Sequence, residues 1–129
     1  MSRPKINILI GATGSVASIK IPLLVRSLLQ YENVEIKVVS TDNALHFFNR
    51  ESLTKESGVE VTTDADEWKT CILRAWDVER PVIVCPAMNT FMWDHPFTST
   101  HLRVLNEQLG YQVISPVSKK LACGDIGIY

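Results

Sequence analysis

A strand-like apolar run that breaks into a glycine-bearing turn and then a helical pattern constrains this chain more than any other feature. Ile6 to Ile10 is apolar except for Asn7, as expected of a strand covered on both faces. Gly11-Ala12-Thr13-Gly14-Ser15 follows, and a helical pattern then extends from about Ser15 to Gln30, with Ile19, Leu23, Leu24 and Leu28 at three- and four-residue spacing. Pro22 inside that pattern predicts a kink or a late helix start. Strand, turn and helix in this order open a βαβ unit, and such units build parallel sheets.

The rest of the chain continues the alternation. Val34 to Val39 reads as a second strand, Ser40-Thr41-Asp42-Asn43 as a helix-capping cluster, Ala44 to Phe48 as a short helix and Val59 to Thr62 as a weak third strand. Asp64 to Asp77 reads as a helix with acidic residues in its first turn. Pro81 to Cys85 reads as a buried strand, Thr98 to Leu109 as an amphipathic helix ended by Gly110, and Tyr111 to Ser115 as the last strand. Pro116 to Tyr129 shows no regular period and is expected to be a loop. No repeat or linker interrupts the 129 residues, which are expected to form one domain.

Composition excludes several function classes. A net charge of −1 with no basic stripe argues against nucleic acid. No apolar run approaches the ~20 residues of a membrane span, and Met1 to Lys5 shows no signal-peptide pattern. Cys71, Cys85 and Cys123 are odd in number and widely spaced, which argues for reduced thiols, a cytoplasmic setting and no metal site. His46, His95 and His101 have no acidic or cysteine partner at ligand spacing and read as surface residues.

Three segments carry chemistry. In the first, Gly11 to Ala17, a glycine turn before a helix can bring backbone N–H groups to a phosphate, with a hydroxyl from Ser15; Ser40 and Thr41 end the neighbouring strand. A plain strand-to-helix turn with a capping serine stays open as the alternative. The second is Pro86-Ala87-Met88-Asn89-Thr90-Phe91-Met92-Trp93, at the carboxyl end of a strand, where open α/β sheets bind ligands. Asn89 suits a carboxylate or amide, with a helix N-cap or Asx-turn as the other reading. Met92 and Trp93 read as packing. The third, Lys119 to Gly127, places Cys123 among glycines, as in a flap.

Gly11-Ala12-Thr13-Gly14-Ser15-Val16-Ala17, Pro86-Ala87-Met88-Asn89, Met92-Trp93 and Ala122-Cys123-Gly124-Asp125 stand in the order seen in phosphopantothenoylcysteine decarboxylases. From about Lys5 to Gly127 the chain resembles an animal-type member of these flavin-containing cysteine decarboxylases. The resemblance implies a flavodoxin- or Rossmann-like three-layer α/β fold with a parallel sheet, homotrimers, bound FMN and a step in coenzyme A biosynthesis. In such enzymes the flavin oxidises the cysteinyl thiol of phosphopantothenoylcysteine, carbon dioxide leaves, and the electrons return to give phosphopantetheine. By position, Gly14, Ser15, Val16, Ser40 and Thr41 would contact FMN, with Ala87 close by. Asn89, with Met88, would hold the substrate carboxylate, and Cys123 would be the proton donor.

The chain departs from the family between Lys69 and Thr70. Family members carry there a long stretch with a core strand, a flavin-covering loop and a histidine in a His-Ile-Asp-Leu-like motif that drives decarboxylation. No histidine here occupies that position, so one core strand and the catalytic histidine are expected to be missing. The chain also stops before the family's final helix. Two other classes remain: a non-catalytic subunit in a mixed trimer with a complete paralogue, and a nicotinamide-binding Rossmann protein. The latter is weakened because no acidic residue ends the second strand.

Overall fold

The computed structural model describes residues 4–63, 75–120 and 126–128. It divides into two compact units, residues 1–71 and 72–129. In the first, β1 (Ile6–Ala12), β2 (Val34–Ser40) and β3 (Val61–Thr63) form a parallel sheet in the order β1-β2-β3. The register runs from Ile6 opposite Val34 to Ala12 opposite Ser40. An ion pair from Lys5 to Glu35 joins the starts of β1 and β2 and holds the Glu35 carboxyl below its usual range. Both groups are solvent-exposed, so the pair adds little to stability.

The helices of this unit obey their caps. A 3-10 turn, Val16–Lys20, leads into α1, Ile21–Leu28, with Pro22 in its first positions. The missing N–H of Pro22 is tolerated there, so the late start is the outcome. Helix α1 buries Val25 completely, with Ile21 and Leu28 packed against the core, while Ile19, Leu23 and Leu24 are exposed. The apolar spacing of 19, 23, 24 and 28 therefore marked mostly the outer side. The helix is apolar around most of its circumference, and periodicity alone does not select the buried stripe.

After the 3-10 turn Asp42–His46 comes α2, Arg50–Ser57, which the sequence reading did not anticipate. Its signals were present: the Asn49 side chain accepts from the Ser52 N–H at 2.8 Å, and Gly58 closes the helix in the left-handed region at φ 72°. The core comprises Ile10, Ala12, Val25, Ile36, Val38, Ala44, Phe48, Leu53, Val59 and Val61. It lies on one side of the sheet. Along β1, Ile10 and Ala12 are buried, whereas Asn7, Leu9 and Gly11 are exposed, so β1 is not covered on both faces as its apolar run implied.

In the second unit β4 (Ile83–Val84) pairs in parallel with β6 (Gln112–Val113). Both are shorter than their apolar runs. Ile83 is exposed, so β4 is not the buried strand expected from Pro81 to Cys85; among the described residues it has a single pairing partner. Helix α3 (Thr90–Trp93) follows β5 (Met88–Asn89), and α4 (Pro96–Arg103) continues through a wider helical turn, Val104–Gln108, to Gly110 at φ 67°.

Segment 116–129 is not a loop throughout. Here β7 (Ser118–Lys120) pairs antiparallel with β8 (Ile126–Ile128), and β8 pairs antiparallel with β5, giving the order β5-β8-β7. Most of the helix expected at Asp64–Asp77 lies outside the described residues, and its described end, Ala75 to Asp77, is not helical.

Candidate functional site

In the first unit the structure gathers five candidate residues at the carboxyl ends of β1 and β2. Ala12 sits opposite Ser40 in the ladder, and the Thr41 N–H donates to the Ala12 carbonyl at 3.0 Å. The connection from β1 to the helix is a tight turn: the Ser15 N–H donates to Thr13 at 2.7 Å, and the buried Ser18 hydroxyl donates to the Thr13 carbonyl at 2.6 Å. The Ser15 hydroxyl oxygen accepts from the Ala17 N–H at 3.3 Å, so Ser15 is the N-cap, as the plain structural reading held. Its own O–H remains able to donate outward.

Gly14 is constrained by packing. A Cβ at this position would lie 2.7 Å from the Cβ of Asn43, closer than side chains approach. A Gly14→Ala substitution is expected to push the 42–46 turn aside and cost about 1 kcal/mol, at the low end for overpacking because both residues are exposed. Adding Asn43→Gly removes the opposing atom, and recovery of the thermal midpoint in the double variant would establish that contact as the cause. An unchanged single variant would refute it.

Two hydroxyls follow β2. Ser40 is fully buried and its Oγ donates to the Thr41 carbonyl at 3.1 Å. Thr41 Oγ1 is shielded from solvent and has no hydrogen-bond partner among the described residues. A buried hydroxyl without a partner costs roughly 1–3 kcal/mol. An oxygen-rich group at this edge would relieve that cost, so the hydroxyls of Ser15 and Thr41, with the backbone at Gly14 and Val16, fit a phosphate, whereas the buried Ser40 hydroxyl is already spent on the Thr41 carbonyl.

In the second unit Asn89 ends β5 and caps α3: its Oδ1 accepts from the Met92 N–H at 2.9 Å. The N-cap reading of Asn89 is thus realised, and it leaves a defined chemical face. With the acceptor engaged in the cap, the exposed side chain offers its Nδ2 donors, which suit an anion. Ala87 and Met88 are half-buried beside it. Phe91 and Met92 stand exposed on α3, so Met92 is not packing, whereas Trp93 is half-buried.

Cys123 lies in segment 121–125, outside the described residues. The strands on either side of it are described: Lys120 pairs with Ile126, and Gly127 with Asn89. Backbone pairing therefore ties the strand after Cys123 to the strand bearing Asn89, a long-range link the sequence reading missed. All three histidines are on the surface. His95 Nδ1 accepts from the Phe97 N–H at 3.2 Å as the N-cap of α4, and the Phe97 ring stacks on both His95 and His101. Among the described residues no cluster suits a metal ion, and no helix is long and apolar enough to cross a membrane.

The Flavoprotein family model matches residues 1–70 and 65–128. A phosphopantothenoylcysteine decarboxylase of Mus musculus is 35% identical to the chain, covering 96% of it and 79% of the relative. The chain belongs to the phosphopantothenoylcysteine decarboxylase family. The member from Oryza sativa subsp. japonica is 37% identical, with 98% and 74% covered. A solved structure of a PPC decarboxylase mutant complexed with pantothenoylaminoethenethiol superposes with a TM-score of 0.83 at 33% identity, covering 98% of this chain and 90% of that one. The fold is therefore the flavodoxin-like α/β fold of this decarboxylase family of flavoproteins. The alignment with the mouse relative runs over 167 residues against a chain of 129, so the relative carries residues within the match that this chain lacks.

Proposed function

We propose that this chain, acting as one domain in the cytoplasm, binds FMN and the carboxylate of 4'-phosphopantothenoylcysteine but does not complete decarboxylation. The observation that carries the cofactor assignment is the unpartnered, shielded Thr41 Oγ1 beside the glycine turn. In this reading Gly14 and Val16 lend backbone N–H groups, Ser15 and Thr41 lend hydroxyls, Ser40 supports Thr41 from within through its bond to the Thr41 carbonyl, and Ala87 lies close to the flavin. Bound FMN supplies the oxidation of the cysteinyl thiol and the later return of the electrons that coenzyme A biosynthesis requires at this step. Asn89 holds the carboxylate through Nδ2, beside Met88, and Cys123 is the proton donor.

The absence of a catalytic histidine is supported by two alignment features. The family model matches in two stretches that meet at residues 65–70, and the mouse alignment is longer than the chain. Both fit a segment that relatives carry near Lys69 and Thr70 and this chain does not.

Thr41→Val tests the cofactor assignment, because its effects on folding and on binding run in opposite directions. Replacing an unpartnered buried hydroxyl by a methyl of the same shape leaves the free protein equally or more stable. It also removes a donor to a charged phosphate, worth roughly 1.5–3 kcal/mol, so FMN affinity is expected to fall about tenfold or more. Fluorescence titration with FMN and thermal melting of the apoprotein read the two effects. Unchanged FMN affinity would remove Thr41 from the site.

A further inference from the structure

Three consecutive residues of α4, Thr98, Ser99 and Thr100, carry hydroxyls, and they do not bond alike. Ser99 and Thr100 donate to the carbonyl of Pro96 at 3.0 and 3.4 Å, within their own helix. This is the local bond that serine and threonine make in helices. Thr98 leaves its helix instead. Its Oγ1 donates at 2.5 Å to the carbonyl of Met92, six residues back and in α3. Ser99 and Thr100 are exposed, whereas Thr98 is half-buried.

The carbonyl that Thr98 reaches belongs to the residue that holds Asn89. Helix α3 has 4 residues, and a single turn does not hold itself together in water. Its last carbonyls need partners from outside the helix. Met92 is held at both ends. Its N–H donates to Asn89 Oδ1 at 2.9 Å, and its carbonyl accepts from the Thr98 hydroxyl and, at 3.4 Å, from the His95 N–H. The longer bond is the weaker. The Asn89 backbone is fixed separately, by pairing with Gly127 on β8. Its side-chain amide is planar, so an Oδ1 held by Met92 sets the direction of the Nδ2 donors.

We propose that Thr98 is a positioning residue for the substrate carboxylate. By holding the Met92 carbonyl it keeps the α3 turn in place, and with it the direction of the Asn89 Nδ2 donors. This role rests on the assignment of the carboxylate to Asn89 and adds the group that preorganises that donor. An unanchored asparagine amide rotates, and an anion binding to it must first stop the rotation. Thr98 removes that cost in advance. Its contribution therefore goes to a ligand that carries a carboxylate and not to one that lacks it.

Calorimetry on the FMN-loaded protein tests this with two ligands, phosphopantothenoylcysteine and phosphopantetheine. Thr98→Val keeps the shape of the side chain and removes the hydroxyl. It should bind phosphopantothenoylcysteine roughly three- to tenfold more weakly, the worth of one hydrogen bond, and phosphopantetheine as the parent does. Thr98→Ser should keep the parent affinity for both ligands, and so should Thr100→Val, whose lost bond lies within α4. In an Asn89→Ala background, Thr98→Val should weaken binding no further, because the group it positions is gone. Loss of both ligands alike in Thr98→Val, or losses from Thr98→Val and Asn89→Ala that simply add, would overturn the proposal and leave Thr98 a structural residue. Parent-like affinity in Thr98→Val would overturn it too; with Asn89→Asp weakened in the same experiment, the carboxylate assignment would stand without it. Parent-like binding by Asn89→Asp would remove the assignment and this role together.

Discussion

Purified chain supplied with FMN and phosphopantothenoylcysteine is expected to release carbon dioxide at least about a hundredfold more slowly than a complete family member. The mouse relative, assayed in parallel, is the positive control. Holding the carboxylate is one requirement of the reaction, and it is the role proposed above for Asn89 Nδ2, whose Oδ1 is engaged by the Met92 N–H. The proton chemistry is another, and each histidine of the chain is accounted for elsewhere. His46 is exposed on the 42–46 turn, the His95 Nδ1 is engaged by the Phe97 N–H, and His101 stacks on Phe97. A positioned acid–base group contributes roughly 10²–10⁴-fold, so its loss alone puts the rate at least about a hundredfold below the control. Release of labelled carbon dioxide within about tenfold of the control would mean that the chain needs no such group, and the proposed inactivity would fail.

The opening of the fold was readable because independent signals agreed. An apolar strand, a glycine turn, a capping serine and a proline tolerated in the first turn of a helix all pointed to one βα unit, and the structure has β1, the Ser15 cap and α1 in those places. Gly110 at φ 67° ended its helical segment as the sequence indicated. Helix α2 was missed because its residues are mostly polar, leaving only the caps Asn49 and Gly58 to announce it. Which side of β1 is buried was not readable either. A run apolar on both faces carries no alternation, and burial is decided by which helices are present to cover it.

The carboxyl-terminal strands failed for a different reason. Strand β8 is stabilised by β5, far away in sequence, and such pairing leaves little local trace in a segment rich in lysine and glycine. The site shows the same division. Thr41 and Asn89 could be named as candidates by type and position. The state of each atom was not: that Thr41 Oγ1 is unpartnered and that Asn89 spends its oxygen on a cap follow from packing and hydrogen bonding alone.

That division of labour within Asn89 makes its substitutions informative. Asn89→Asp keeps an acceptor for the Met92 N–H, since aspartate caps helices about as well as asparagine. It also exchanges two donors for a negative charge at the place proposed for the substrate carboxylate. The melting temperature of Asn89→Asp should therefore stay near that of the parent, while Asn89→Ala loses the cap and about 1 kcal/mol. Both should bind phosphopantothenoylcysteine more weakly in the FMN-loaded protein. Loss of a hydrogen bond to a charged group is worth roughly 1.5–3 kcal/mol, about ten- to a hundredfold in affinity, and Asn89→Asp adds repulsion. Because the chain is expected not to turn the substrate over, calorimetry can measure that affinity directly. Phosphopantetheine, which lacks the carboxylate, serves as the reference ligand, since its binding should be nearly the same in all three proteins. If Asn89→Asp bound both ligands as the parent does, Asn89 would be a helix cap and nothing more.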